Sequence, residues 1–208
     1  MRHQPLDLSL KTSTGTIWAA RLFSNIASPP ALFSGFAFLM AWTDRRTITG
    51  LLWAALYGFL ASLLPVLYLV CLYKLGRIRD IHVSSTEERR IPYLVGLAGA
   101  VIAFFMVRAW GHSPLLSNLI LSHLALMLVL TAANAVWLIS AHVATVTALT
   151  LLTGLVFGFI FSLFLLPLIP LTFYIRRYLK RHTPGELYSG LFVGAGIVTL
   201  LAATGAYA

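Results

Sequence analysis

Charged residues are scarce in this sequence, since Asp, Glu, Lys and Arg make up only 10% of its 208 residues. An ordinary soluble domain is about 25% charged. Here 59% of the residues are hydrophobic and the mean hydropathy is +0.88. The composition therefore excludes an ordinary soluble domain and predicts an integral membrane protein whose helices face the lipid bilayer.

Acidic residues are scarcer than basic ones, with six Asp and Glu against fifteen Lys and Arg and a formal net charge of +9. Such an excess favours anionic lipid or a phosphorylated substrate as the partner. Nucleic acid is disfavoured, because the basic residues lie in short loops without interleaved aromatic side chains. The single cysteine, Cys71, excludes an internal disulfide. The polar first 14 residues do not resemble a cleavable signal peptide, so we expect the N-terminus to be retained.

Long apolar runs fill almost the whole chain and predict an all-α polytopic bundle of six or seven transmembrane helices, forming one domain over residues 1–208. An amphipathic N-terminal helix is expected over 15–27, with a kink at Pro29 and Pro30. The remaining crossings are expected at about 31–42, 48–73, 92–107, 115–137, twice within 143–175, and at 187–206. Gly154 and Gly158 offer the place where the run 143–175 turns back.

Three polar segments, 74–90, 140–142 and 176–186, follow the second, fourth and sixth crossings, so all three are predicted on one face of the membrane. Together they hold three of the six histidines and nine of the fifteen basic residues. The last is the most specific, because it contains Arg176, His182 and Glu186. A carboxylate four residues after a histidine can share a helical face with it and hold the imidazole in one tautomer. The arginine supplies a planar fork suited to phosphate oxygens.

These residues resemble the third motif of the type 2 phosphatidic acid phosphatase superfamily, which reads Ser-Arg, five residues, His, three residues, Asp. Ile175 stands in place of the serine and Glu186 in place of the aspartate. The family's second motif, Pro-Ser-Gly-His, is matched at Ser140 and His142. Ile139 and Ala141 replace its proline and glycine. The chain thus looks like a divergent bacterial branch of this family over roughly residues 74–190.

The family's first motif, a lysine followed by six residues and Arg-Pro, is the poorest match. Arg89 or Arg90 is the candidate arginine and Pro92 the nearby proline, but no lysine stands seven residues before either arginine. The candidates for the missing phosphate contact are His82, Arg79 and Lys74.

The resemblance implies a metal-independent hydrolysis of a lipid phosphate or isoprenyl diphosphate without a cofactor. His182 is the implied nucleophile, Glu186 orients it, and His142 protonates the leaving oxygen. Arg89 or Arg90 and Arg176 are the implied phosphate ligands, with Ser140 and the first amides of its helix adding hydrogen bonds. The tail, the choice of mono- or diphosphate and the oligomeric state stay open.

Simpler structural roles compete with each assignment. Glu186 has capping-box spacing with Thr183, and Ser140 is a plausible helix cap. The charges from Glu87 to Arg90 can form a solvated loop of ion pairs. His123, inside the fourth crossing, is more simply a neutral histidine paired to a neighbouring helix. Asp80 and His82 with Glu87 and Glu88 give only weak support to a metal site, and the charges Arg177, Lys180 and Arg181 suit lipid headgroups better than a catalytic role.

Loop charges give an expectation for orientation. The face that carries the motifs, with the N-terminal segment, holds twelve Lys and Arg against three on the other face. The positive-inside rule therefore predicts a cytoplasmic site face, in a bacterial inner membrane. Two other functions stay open: a non-catalytic lipid-binding or transport protein with the same fold, and a metal-dependent transferase, which lacks the repeated aspartates that such chemistry needs.

Overall fold

The structure, a computed structural model, describes residues 15–78, 86–133 and 136–207, and at positions 45 and 86–90 it describes the backbone alone. Helices are α1 (Gly15–Ile26), α2 (Pro29–Arg45), α3 (Ile48–Lys74), α4 (Thr86–Met106), α5 (Pro114–Ala133), α6 (Ala141–Phe157), α7 (Phe159–Tyr178) and α8 (Pro184–Ala203). The described residues contain no strand, so the all-α prediction is confirmed.

The expected kink at Pro29 and Pro30 separates α1 from α2. Ser28 is extended, α2 begins with the two prolines, and the axes of the two helices differ by 49°. Proline is well tolerated at the first position of a helix, because the amide it lacks would have no helical partner there. The inner face of α1 carries Ile17, Ala20 and Ser24. The bend thus directs this short helix across the end of the bundle, where it packs against Ile175 and Leu179.

Helices α3 and α4 are in close backbone contact. A π-helical turn, Phe59–Leu63, interrupts α3, and a Cβ atom at Gly99 of α4 would overlap the carbonyl oxygen of Leu60. Helix α4 begins at Thr86, earlier than expected, so Pro92 lies inside the helix. Its ring removes one backbone hydrogen bond without ending the helix.

The fourth crossing is shorter than predicted. Helix α5 ends at Ala133 and Trp137 lies in the turn that follows, so the expected end at residue 137 is wrong. After this turn the amide of Ser140 donates to the carbonyl of Glu186 on α8, 3.1 Å away. At its other end α5 is held by Asp44, which accepts hydrogen bonds from the Ser113 hydroxyl and the Leu115 amide.

The long apolar run after Val143 divides at Gly158, which is one of the two glycines where the sequence predicts a turn. Gly158 has a φ of +99°, a conformation that favours glycine, and it separates α6 from α7. Helices α6 and α8 then pack backbone to backbone, since a Cβ atom at Gly190 would lie 2.6 Å from the Ser140 carbonyl oxygen and one at Gly194 would overlap that of Ala144.

Length and apolarity support a membrane bundle. Among the described residues five helices are long and apolar enough to cross a membrane, and the bent pair α1 and α2 makes six. A seventh crossing requires α6, which has 17 residues, the short end of the usual range. Large apolar side chains such as Ile48 and Phe164 are 77% and 76% exposed, which suits contact with lipid.

Candidate active site

The histidine and glutamate of the third motif form a buried pair at the start of α8. The Nδ1 atom of His182 lies 2.9 Å from Oε2 of Glu186, and both residues are buried. A carboxylate oxygen accepts hydrogen bonds, so this contact requires the proton on Nδ1. The neutral imidazole then carries its lone pair on Nε2. This is the protonation state that a nucleophilic histidine needs.

Glu186 also caps the helix that it begins. Its Oε2 accepts from the amide of Thr183, and the Thr183 hydroxyl accepts from the amide of Glu186, which completes a capping box. Pro184 occupies the first helical position, where proline is well tolerated. The simple capping role and the pairing with His182 therefore coexist in one carboxylate, and the cap fixes the position of that carboxylate.

His142 of the second motif contacts a residue that the sequence analysis did not single out. Its Nε2 lies 3.1 Å from the backbone carbonyl oxygen of Ser24 and 3.5 Å from the Ser24 hydroxyl. A carbonyl oxygen can only accept, so Nε2 of His142 carries a proton here. This proton is on the nitrogen that a general acid in the second motif would use.

Arg176 reaches the same serine from the last turn of α7. The side chain is only 4% exposed, and its Nη1 donates to the Ser24 hydroxyl across 2.8 Å. Arg176 and His142 thus converge on one residue, Arg176 at the Ser24 hydroxyl and His142 chiefly at the Ser24 backbone carbonyl. A buried guanidinium requires hydrogen-bonding partners, because an uncompensated buried charge is strongly destabilising. The Ser24 hydroxyl is one such partner.

Ser24 was missed because it matches none of the three motifs. Its only signal is its spacing from Ile17 and Ala20, seven and four residues earlier, which places it on the inner face of α1. A small polar residue on an otherwise apolar inner face is a weak signal from sequence alone. Its partners are 118 and 152 residues away along the chain.

The three motif side chains Arg176, His142 and His182 line one cavity of about 210 Å³. The rest of the lining is mostly apolar and comes mainly from α2, α3, α4 and α5. Examples are Pro29, Phe33, Pro65, Leu69, Met127 and Leu130. The cavity therefore combines a cationic, hydrogen-bonding group of residues with a hydrophobic extension between the helices.

Ser140 lies behind this group rather than in the cavity lining. It is fully buried at the N-cap position of α6, but its hydroxyl makes no capping hydrogen bond and has no hydrogen-bond partner among the described residues. The interpretation of its side chain as a simple cap is therefore wrong. The first two residues of α6, Ala141 and His142, do line the cavity, so the positive end of the helix dipole is directed at this region.

The candidates for the first motif are described only in part. His82, Arg79 and Asp80 lie outside the described residues, and of the other two suggested metal ligands, Glu87 and Glu88, only the backbone is described. Arg89 and Arg90 are in the first turns of α4, where only the backbone is described. Lys74 is exposed at the end of α3 and is not among the residues that line the cavity.

Helix register distinguishes the two arginine positions. The residues of α4 that line the cavity are Pro92, Tyr93 and Gly96. Position 89 precedes them by three, four and seven residues, which is the spacing of one helical face. Position 90 is offset by about 100° around the axis. The backbone thus assigns position 89 to the cavity-facing side of α4.

The chain matches no family model, and no curated protein or solved structure is significantly similar to it. The basis for a functional assignment is therefore the geometry of this site together with the motifs in the sequence.

Proposed function

We propose that this protein is a membrane phosphatase that hydrolyses a lipid phosphate or isoprenyl diphosphate through a phosphohistidine, without a metal ion. The observation that carries the proposal is the convergence of Arg176 and His142 on a single residue, Ser24, in the cavity that His182 also lines. A phosphate group beside Ser24 would offer oxygens to both donors, with the charge that a guanidinium favours.

The cavity suits an amphiphilic substrate. A phosphate group fits the polar end beside Arg176, and a hydrocarbon tail fits the apolar lining formed by residues such as Phe33 and Leu130. At about 210 Å³ the cavity holds the headgroup and the start of a tail, so a longer tail would continue between the helices into the bilayer.

In the first step Nε2 of His182 attacks phosphorus. A P–N bond forms while the P–O bond to the lipid breaks, and the leaving oxygen takes the proton from Nε2 of His142, which enters the reaction as an imidazolium. The products are a phosphohistidine and a lipid alcohol, or a lipid monophosphate when the substrate is a diphosphate. The ionised Glu186 stabilises the positive charge on the phosphorylated ring.

In the second step water attacks the phosphorus and gives a proton to His142, now neutral. The P–N bond breaks, inorganic phosphate leaves, and both histidines return to their starting protonation states. Charge on the phosphoryl oxygens is balanced by Arg176, by the N-terminus of α6 and by an arginine of α4, for which helix register favours Arg89. Among the described cavity-lining residues, none takes the place of the lysine in the family's first motif.

The location of the site follows from the same proposal. The proposed enzyme is an integral protein of a bacterial inner membrane. The excess of Lys and Arg on the motif face favours a cytoplasmic site. The exposed Arg177 and Lys180 on this face suit anionic headgroups.

Phosphate release from a panel of lipid phosphates and isoprenyl diphosphates, with purified protein in detergent and EDTA, tests the proposal. We expect wild-type activity on at least one substrate and none for His182→Ala. The matched control is Arg177→Ala, an exposed neighbour of the motif, which should keep wild-type activity, whereas Arg176→Ala should lose nearly all of it.

Absence of phosphate release from every substrate, in protein that elutes as a folded species, would overturn the hydrolase assignment. Lipid binding without turnover would then favour the non-catalytic alternative, for which the exposed Lys74 at the end of α3, outside the cavity lining, is the motivating observation. Activity that EDTA abolishes would instead favour metal-dependent chemistry.

A further inference from the structure

His123 is a buried polar residue that the proposed reaction does not use. It lies at the middle of α5, surrounded by apolar side chains, and it lines the cavity that contains the motif residues. A polar group in the centre of a membrane helix is costly unless it makes hydrogen bonds. His123 is therefore expected to make hydrogen bonds.

The hydrogen bond from Tyr57 fixes the tautomer of His123. The Tyr57 hydroxyl lies 2.7 Å from Nδ1 of His123, and Tyr57 is fully buried. The hydroxyl makes no other hydrogen bond to the described residues. If Nδ1 were the donor, the hydroxyl proton would be left without an acceptor in an apolar core. Tyr57 is therefore the donor, Nδ1 the acceptor, and the imidazole proton lies on Nε2.

The ring of His123 is also held in place by stacking. Phe33 lies against one face, with ring centroids 4.1 Å apart and planes inclined by 23°, and Tyr57 meets the ring edge-on. With Nδ1 engaged and one face covered, the polar group that His123 contributes to the cavity is its Nε2–H. The described residues offer it no acceptor.

We propose that His123 is a specificity-determining residue, whose Nε2–H donates to an uncharged acceptor oxygen in the substrate just beyond the phosphate, such as the carbonyl of an acyl ester. This inference rests on the proposed function for the identity of the headgroup. The inference distinguishes the two substrate classes that the proposed function leaves open. An ester-linked lipid phosphate provides an acceptor for the Nε2–H of His123, whereas an isoprenoid tail offers only hydrocarbon and leaves this donor unpaired.

The chemistry of the cavity supports a neutral acceptor rather than a second anion. The side chains around His123 in the lining include Phe33, Leu126, Met127 and Leu130, none of which carries charge. A second phosphate at this position would be desolvated without a cation, which is strongly unfavourable. A carbonyl oxygen has a low desolvation cost and accepts one N–H.

Two lipids that differ only at the proposed acceptor test the inference: dioleoyl phosphatidic acid and its di-O-oleyl ether analogue. Dissociation constants are measured on His182→Ala protein, so that turnover does not interfere, and kcat/KM is measured on the wild type. We expect the ester lipid to be favoured by about fivefold to tenfold in both, as for one neutral hydrogen bond.

The double variant His123→Phe, Tyr57→Phe removes the donor and its partner together, so no hydroxyl is left unpaired in the core. It should bind both lipids equally. Ser117→Ala, on the same helix and outside the cavity lining, is the matched control and should keep the ester preference.

Equal treatment of the two lipids by the protein with His123 in place would overturn the inference, as would a preference that survives the double variant. Either result would leave His123 with a packing role alone. If the double variant does not fold, the ratio measured with His123 present still decides the outcome. An ester preference in binding with no hydrolysis by wild type would refute the proposed function and leave the role of His123 standing.

Discussion

Arg176 donates to the hydroxyl of Ser24 across 2.8 Å, although 152 residues separate the two along the chain. The contact joins the last turn of α7 to the inner face of α1, and His142 reaches the same residue. In this arrangement Ser24 holds the arginine in the orientation that a phosphate would require. A bound phosphate would replace the serine as the acceptor.

The first prediction concerns this replacement. Ser24→Ala removes the acceptor, so the buried guanidinium of Arg176 loses a hydrogen bond and the free energy of unfolding should fall by about 1–3 kcal/mol. Orthovanadate, a phosphate analogue, should then stabilise the variant more than the wild type, because no hydroxyl has to be displaced. Thermal unfolding with and without vanadate measures both effects. A vanadate shift equal to or smaller than that of the wild type would show that Ser24 does not occupy the phosphate position.

The second prediction separates the two roles of Glu186. Glu186→Gln keeps an oxygen that can accept from the Thr183 amide but loses the charge that supports His182, so kcat should fall by about 100-fold or more with little loss of stability. Thr183→Ala removes the cap instead, which should cost about 1 kcal/mol of stability and leave kcat nearly unchanged. Steady-state kinetics and thermal unfolding of the two variants give the comparison. If kcat falls equally in both, the carboxylate acts only through the helix cap.

The third prediction uses the register of α4. Arg89→Ala should reduce kcat/KM by about 100-fold, the usual loss when one ligand of a transition-state charge is removed. Arg90→Ala, one position further around the helix, should reduce it by less than about threefold, because position 90 is offset by about 100° from position 89 around the helix axis. The ratio of the two effects is the readout, since both variants lose the same charge. A larger effect at position 90 would refute the assignment from register.

The fourth prediction concerns orientation in the membrane. Lys180 is exposed on the motif face and Arg46 is exposed in the turn on the opposite face. In a Cys71→Ser background, Arg46→Cys should react with a membrane-impermeant thiol reagent in intact cells, and Lys180→Cys should react only after permeabilisation. Gel-shift detection of the label gives the result. The reverse pattern would place the site on the outer face.

The sequence was sufficient for the local part of the site. His182 and Glu186 are four residues apart, and Thr183 and Glu186 three, so helix geometry alone brings these side chains together. The membrane bundle, the kink before α2 and the turn at Gly158 were likewise readable from apolar runs, proline and glycine. In each case the decisive contacts are short in sequence.

The parts that were missed depend on long-range contacts. Ser24 meets His142 and Arg176 only because α1 folds back across the end of the bundle, and no pattern within α1 specifies that direction. The hydrogen bond from the Ser140 amide to the Glu186 carbonyl likewise joins residues that are far apart in the sequence. The sequence predicts that His123 pairs with a neighbouring helix. It does not identify the partner, Tyr57, which is 66 residues away.

The contact between α6 and α8 has a consequence for how the site can vary. At Gly190 and Gly194 the two helices meet through main-chain atoms, so no side chain lies between them that could be exchanged for a longer or shorter one. Because His142 is the second residue of α6 and His182 lies two residues before the start of α8, the spacing of the proposed proton donor and nucleophile is built into the main chain. Substitutions at these glycines can disrupt the spacing of the two histidines, but they cannot adjust it in small steps.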